Sequence, residues 1–242
     1  MFSTGTSKVK VLKIAVISDI HGNHYALDEV LNCARKGGVE KIFVLGDIVG
    51  YYYYPEKILE ILSHWDFEII KGNHEVILEN LRYNKVNKRD LEKKYGKGHE
   101  RALLSLDETK QNWLYSLPTQ KSIIIDNVSF LLNHGSPTSI NEYIYPDASI
   151  NQLENCNSKL HDFVLIGHSH YPFSFRCKDS TLINCGSVGQ SRQKGGIANW
   201  VIINTANKCF EIKSTPYDTK FLLEEISLLE SENCYSYKIL LR

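Results

Sequence analysis

The sequence predicts an α/β protein built on a largely parallel sheet, and three observations carry that prediction. Short runs rich in β-branched residues alternate with stretches whose apolar residues recur at helical spacing. The first runs are apolar almost throughout instead of alternating, as strands buried on both faces must be. Each of them stops at polar, chemically capable residues, and in open α/β sheets ligands bind beyond the carboxyl ends of the strands.

The first run, residues 11–18, ends in Asp19-Ile20-His21-Gly22. Leu27, Val30, Leu31 and Ala34 then mark one stripe of a helix closed by Gly37-Gly38. Residues 42–45 form the second buried run, stopped by Gly46-Asp47. Pro55 opens the next helix, where its missing N–H costs nothing, with Ile58, Ile61, Leu62 and Trp65 on the apolar face. Residues 67–70 are the third strand and lead into Gly72-Asn73-His74-Glu75.

From residue 76 to 118 strand signals vanish, and the stretch reads as a helical insertion with one helix over 101–117 stopped by Pro118. Residues 82–101 carry eight Lys or Arg against three Asp or Glu. A solvated basic face is the plainer reading; a rim that attracts phosphate is the sharper one. Residues 121–126 and 128–133 make a hairpin turning at Asp126-Asn127, and its second strand ends in His134-Gly135. A helix-compatible segment near 148–159 precedes a strand over 163–166 that ends in Gly167-His168-Ser169-His170. Residues 181–184 run into Gly186-Ser187-Val188-Gly189, residues 200–204 and 209–214 form another hairpin, and Leu222, Ile226 and Leu229 mark a closing amphipathic helix. No repeat or linker divides the 242 residues. A single domain over 1–242 is therefore expected, with residues 1–10 flexible.

With 43% hydrophobic and 23% charged residues, the composition is that of a globular protein. No run approaches the roughly 18–20 apolar residues that span a bilayer. Lys plus Arg number 28, as do Asp plus Glu, so no long nucleic acid is expected as partner. Six cysteines without a CxxC pair suggest neither a zinc ribbon nor a disulfide scaffold. With no signal-peptide pattern at the start, a cytoplasmic location is expected. Nothing in the sequence speaks to the oligomeric state.

Five of the nine histidines, His21, His74, His134, His168 and His170, directly follow strand endings, together with Asp19, Asp47 and Asn73. One such histidine is ordinarily structural; five on one rim point to metal. Nitrogen and oxygen donors without cysteine suit first-row divalent ions, manganese first, with iron, zinc or nickel also fitting. Calcium and magnesium take fewer imidazoles. The donors are too many for one closed site, which implies two ions on the order of 4 Å apart, with Asp47 of the middle strand as the natural bridge. Such a positive centre favours an anionic substrate, and phosphate esters fit best.

Asp19-Ile20-His21, Gly46-Asp47-Ile48-Val49-Gly50, Gly72-Asn73-His74-Glu75, His134-Gly135 and Gly167-His168-Ser169-His170 resemble, in order and spacing, the blocks of the calcineurin-like metallophosphoesterases. The short prokaryotic single-domain members are the most similar, because Gly186-Ser187-Val188-Gly189-Gln190 and the helix around Trp113 ending in Leu117-Pro118 also look like theirs. The resemblance implies a four-layer α/β/β/α sandwich with two mixed β-sheets and a metal site at the carboxyl ends of the strands. It implies one metal held by Asp19, His21, Asp47 and His170, and a second by Asp47, Asn73, His134 and His168. A water bridging the two ions would then attack a small phosphodiester or phosphomonoester, with His74 as the catalytic histidine. Asn73 and Arg192 are the candidate substrate contacts, Arg192 matching an arginine of the family. Glu75 is expected outside the ligand set, orienting a histidine.

The four tyrosines Tyr51 to Tyr54 stand where short relatives have a Gly- and Pro-containing loop. They read as packing over the sheet edge or, alternatively, as an aromatic wall for a base or aryl group. His24 is expected at a helix start, and His64, His99 and His161 as ordinary surface or core residues. Two other functions fit the same blocks. A non-catalytic scaffold of this fold is disfavoured by the retained His74, and a nuclease by the lack of a long basic groove.

Overall fold

In the computed structural model, which describes residues 12–242, the expected alternation opens the chain. The expectation for residues 1–10 lies outside the described residues. Strands β1 (Lys13–Ile17), β2 (Lys41–Val44) and β3 (Asp66–Ile69) pair in parallel, joined by helices α1 (His24–Lys36) and α2 (Pro55–Ser63). The Asn23 side chain accepts from Ala26 N at 3.1 Å and so starts α1, and Pro55 occupies the first turn of α2. Four helices follow: α3 (Asn73–Arg82), α4 (Lys88–Tyr95), α5 (Gly98–Ser105) and α6 (Glu108–Ser116).

The single helix expected over 101–117 is two. Leu106 is extended and buried, and the Asp107 carboxylate accepts from Lys110 N at 2.8 Å to start α6 afresh. Apolar spacing continues across the break, which hides it from a periodicity argument. Hairpin β4 (Gln120–Ile125) and β5 (Val128–Asn133) turns as expected at Asp126 and Asn127, both with positive φ. The remaining elements are α7 (Ile150–Glu154), β6 (Phe163–Ile166), β7 (Phe173–Arg176), β8 (Thr181–Asn184), β9 (Ile197–Asn204), β10 (Cys209–Pro216), α8 (Lys220–Leu229) and α9 (Tyr235–Leu240). Strand β7 and helix α9 had no counterpart in the sequence reading. β7 is a four-residue edge strand, and α9 has only six residues.

The strands form two five-stranded mixed sheets, in the orders β10-β9-β1-β2-β3 and β4-β5-β6-β8-β7. In β1, Ile14 and Val16 face the second sheet, where they join Phe43, Leu45, Phe130, Leu132, Phe163, Leu165 and Ile183 in one core. Ala15 and Ile17 point the other way, under Leu27, Val30, Ile58 and Leu62 of the helices. Burial on both faces is why this run shows no alternation. The outer face of the second sheet, with Val164, Ile166 and Leu182, is covered by Leu153 of α7 and by Ile144 and Cys156. The result is an α/β/β/α sandwich whose last helical layer is thin.

Strands β1, β2 and β3 of one sheet and β5, β6 and β8 of the other carry their carboxyl ends to a common rim. Asp19 N donates to Gly46 O at 3.1 Å and Gly167 N to His134 O at 2.8 Å, which locks the strand-end loops pairwise. Among the described residues no helix is long and apolar enough to cross a membrane, and all six cysteines are free.

Candidate metal centre

Asp19, His21, Asp47, His168 and His170 each follow a strand closely, and each has positive φ. Non-glycine residues hold that conformation at a cost of about 1–3 kcal/mol apiece, which only an over-determined surrounding sustains. Their turns aim the side chains into one pocket where Asp19, His21, Asp47, Asn73, His134, His168 and His170 are all buried. Every residue named from the sequence as a ligand is brought to this pocket.

Backbone carbonyls set the histidine tautomers. His21 Nδ1 lies 2.9 Å from Val49 O, His134 Nδ1 2.7 Å from Leu45 O, and His170 Nδ1 2.7 Å from Gln190 O. Carbonyls only accept, so these Nδ1 atoms carry the protons and the Nε2 lone pairs face the pocket. His168 is turned the other way: its Nε2 donates to Asn141 O at 3.3 Å and Nδ1 faces inward.

The inward atoms form two groups. Asp19 Oδ1, His21 Nε2 and His170 Nε2 make the first, with His170 Nε2 3.1 Å from Asp19 Oδ1 and 3.2 Å from His21 Nε2. His134 Nε2 centres the second, 2.9 Å from Asn73 Oδ1, 3.2 Å from His168 Nδ1 and 3.2 Å from Asp47 Oδ2. Asp47 Oδ2 also lies 4.0 Å from His21 Nε2, between the groups. Its other oxygen accepts from His74 N at 2.7 Å.

Lone pairs at such distances repel one another unless a cation or a proton lies among them. Asp19 Oδ1 is moreover a buried oxygen without a hydrogen-bond partner among the described residues. The electrostatics agree: although burial alone would lower it, His134 is pushed up to about 10 by the Asp47 and Asp19 carboxylates. A pocket that draws a proton onto a buried imidazole is one that accommodates a divalent ion. The donor set of imidazole, carboxylate and carboxamide fits two such ions.

Glu75 does not orient a histidine, as the sequence reading expected. Its Oε2 accepts from Asp47 N at 2.9 Å and Gly72 N at 2.8 Å, and its Oε1 from Ile48 N at 2.8 Å and Val49 N at 3.3 Å. The carboxylate sits at the start of α3, where three orphan amides of the β2 turn and one of the β3 turn converge on it. It thereby shapes the loop that presents Asp47.

His74 lies beside the pocket, with a ring nitrogen within 4.8 Å of ligand atoms of His21 and Asp47. The rings of Tyr51 and Tyr95 flank it, with centroids at 5.2 Å and 4.8 Å. Its Nδ1 is 3.1 Å from Nε2 of His99, which from sequence alone looks like an ordinary core or surface residue. His99 is 2% exposed, and burial pushes it down to about 4, so it is neutral in neutral solution. No sequence signal pointed to it, because α5 brings it in across the insertion. The basic face of 82–101 is as expected mostly solvated: α4 has no buried residue.

Arg192 lies beside the pocket, its backbone N donating to His170 O at 3.4 Å. Its guanidinium donates to Ser169 O at 3.4 Å and lies 5.7 Å over the Tyr143 ring, while its Nε is buried without a partner among the described residues. Tyr143 in turn stacks on His168 at 3.9 Å. Of the four-tyrosine run, only Tyr51 faces the pocket. Tyr52 donates to Ser236 O, Tyr53 to Glu230 at 2.8 Å and Tyr54 to Glu225 at 2.7 Å, which ties the loop to the C-terminal helices. Packing is thus the reading that holds for these three.

The profile of the calcineurin-like phosphoesterase superfamily domain matches residues 12–208, and the chain belongs to that family. An uncharacterised protein of Methanocaldococcus jannaschii is 33% identical over 236 residues, which cover 88% of this chain and 91% of that protein. A hypothetical protein from Pyrococcus horikoshii has a similar structure, with a TM-score of 0.81 at 20% identity, over 96% of this chain and 98% of the other. A metallophosphoesterase from Sphaerobacter thermophilus superposes with a TM-score of 0.76 at 24% identity, over 95% and 98% of the two chains.

Proposed function

We propose that the protein is a metal-dependent phosphoesterase that hydrolyses a small phosphodiester or phosphomonoester. The observation that carries this reading is the pair of inward lone-pair groups that share Asp47, with His74 alongside. Asp19, His21, Asp47 and His170 would hold one divalent ion, and Asp47, Asn73, His134 and His168 the other. Manganese suits these donors, as do iron, zinc and nickel. When bound, such ions neutralise phosphate charge and lower the pKa of water enough to make it a nucleophile at neutral pH.

The protein's own groups do the rest. Arg192, charged and unpaired at Nε, binds a phosphate oxygen and orients the ester. His74 stabilises the departing oxygen, a duty for which a pure binding module would have no use. Tyr51 and Tyr95 pack against its ring and shield it from water. Glu75 holds the Asp47 turn against the repulsion of two buried carboxylates.

A panel of aryl phosphodiesters and monoesters, assayed with each ion in turn, tests the reading. Turnover that depends on the added ion and disappears in His74→Ala is expected. A protein loaded with two ions that cleaves none of the panel contradicts it. Single-stranded DNA and RNA belong in the same panel, since turnover of these that falls steeply with salt would mark a nuclease instead.

A further inference from the structure

His74 and His99 share one hydrogen bond between His74 Nδ1 and His99 Nε2, 3.1 Å apart and buried. Either ring could donate, but the far side of His99 decides between them. Among the described residues, His99 Nδ1 is buried without a hydrogen-bond partner. If His74 donated, neutral His99 would have to carry its own proton on that nitrogen, as a buried and orphaned N–H. If His99 donates, only a lone pair is left unpaired, and buried N–H groups without partners are the rarer and costlier of the two.

The approach of the two rings is built into the backbone. Gly50 has φ +90, and a Cβ there would come within 2.2 Å of His74 Nδ1. A Cβ on Gly98, which opens α5 one residue before His99, would come within 2.5 Å of Tyr51 N. Two glycines in facing segments let α5 close on the loop after β2, and this contact brings His99 to His74.

We propose that His99 is a positioning residue: its Nε2–H donates to His74 Nδ1 and fixes the tautomer of His74 that turns an Nε2–H toward the phosphate ester. The proposal rests on the phosphoesterase reading and sharpens the role of His74 within it. Neutral His74 then serves as a hydrogen-bond donor to the departing oxygen as the P–O bond breaks. Its proton stays on Nε2, and the released alkoxide takes a proton from water. Positioning by a neutral imidazole also avoids placing a further negative charge next to Asp19 and Asp47.

The test uses the full chain loaded with zinc and labelled with ¹⁵N, in the wild type, His99→Leu and His99→Gln, with His74→Gln for assignment. A long-range ¹H–¹⁵N spectrum reads which nitrogen of His74 is protonated. The expected wild-type pattern is a protonated Nε2 and a bare Nδ1, giving way to a mixture of tautomers in His99→Leu. On an aryl phosphodiester, His99→Leu should lose kcat by roughly 10- to 100-fold with KM within about twofold. His99→Gln, whose amide N–H can also donate, should recover most of it. A wild-type His74 protonated on Nδ1 overturns the proposal, as does a His99→Leu kcat equal to wild type or a His99→Gln kcat no better than that of His99→Leu. If the zinc-loaded wild type cleaves no ester, the phosphoesterase reading fails, and the spectrum still decides the His99 assignment.

Discussion

Glu75→Gln would neutralise a buried carboxylate that four backbone amides share, from Asp47, Ile48, Val49 and Gly72. Glutamine keeps the size and one carbonyl oxygen. Whichever way its amide is turned, the NH₂ faces two N–H donors, which lose their acceptor in a site 1% exposed. Each orphaned donor costs about 1–3 kcal/mol, so the pair costs about 2–6 kcal/mol. For a chain of this length that lowers Tm by roughly 5–20 °C. Thermal unfolding of metal-free protein by circular dichroism measures the effect without the contribution of bound ions. A Tm within about 2 °C of wild type would refute the argument, since it would mean the carboxylate is not what holds the Asp47 turn. Elemental analysis of the same variant should show weaker metal retention, because the misplaced turn carries the shared ligand.

Other outcomes follow from the same geometry. Asp47→Asn should reduce bound metal from two ions to at most one per chain by elemental analysis and lower turnover by at least about 100-fold. Saturating metal should stabilise the wild type by about 2.7 kcal/mol for each ion at a hundred times its Kd, read as a Tm shift from which His134→Ala loses the part due to the ion it would hold. Tyr53→Phe removes the hydrogen bond to Glu230 and should cost about 1.5–3 kcal/mol in urea unfolding while leaving kcat and KM unchanged. His99, held near 4 in the fold against 6.5 unfolded, takes up its proton later in the folded protein. Its contribution is complete above pH 6.5 and is lost as pH falls toward 4. The difference between wild type and His99→Gln should shift against the wild type by up to about 3 kcal/mol between pH 7 and 4. A difference that does not change with pH would show that His99 titrates freely.

Much of the candidate site was legible because its side chains directly follow strands. A run such as 14–17 that must be apolar on both faces makes the next ionisable residue conspicuous, and Asp19, Asp47 and His168 all stand in that position. Their convergence follows from the parallel registers of β1 with β2 and of β5 with β6. What could not be read depends on contacts between segments distant in sequence. His99 lies in a polar, basic stretch and acquires its place only when Gly98 meets the turn at Gly50 and Tyr51. The carbonyls that set the tautomers, Asn141 and Gln190 among them, lie in loops with no pattern of their own. The break at Asp107 was hidden because one capping carboxylate outweighs a periodicity that runs on past it. Tyr52 to Tyr54 were ambiguous because the glutamates that hold Tyr53 and Tyr54 are more than 170 residues away.

The residues around Asp47 would hold two ions, and with His74 they would form a centre that hydrolyses a phosphate ester. Metal content and turnover of an aryl phosphodiester, measured on one sample of wild type and one of His74→Ala, test it most directly. Two ions per chain are expected in both, with turnover in the wild type and a loss of at least about 100-fold in the variant. Two ions in both samples with equal turnover, or with none in either, would contradict it.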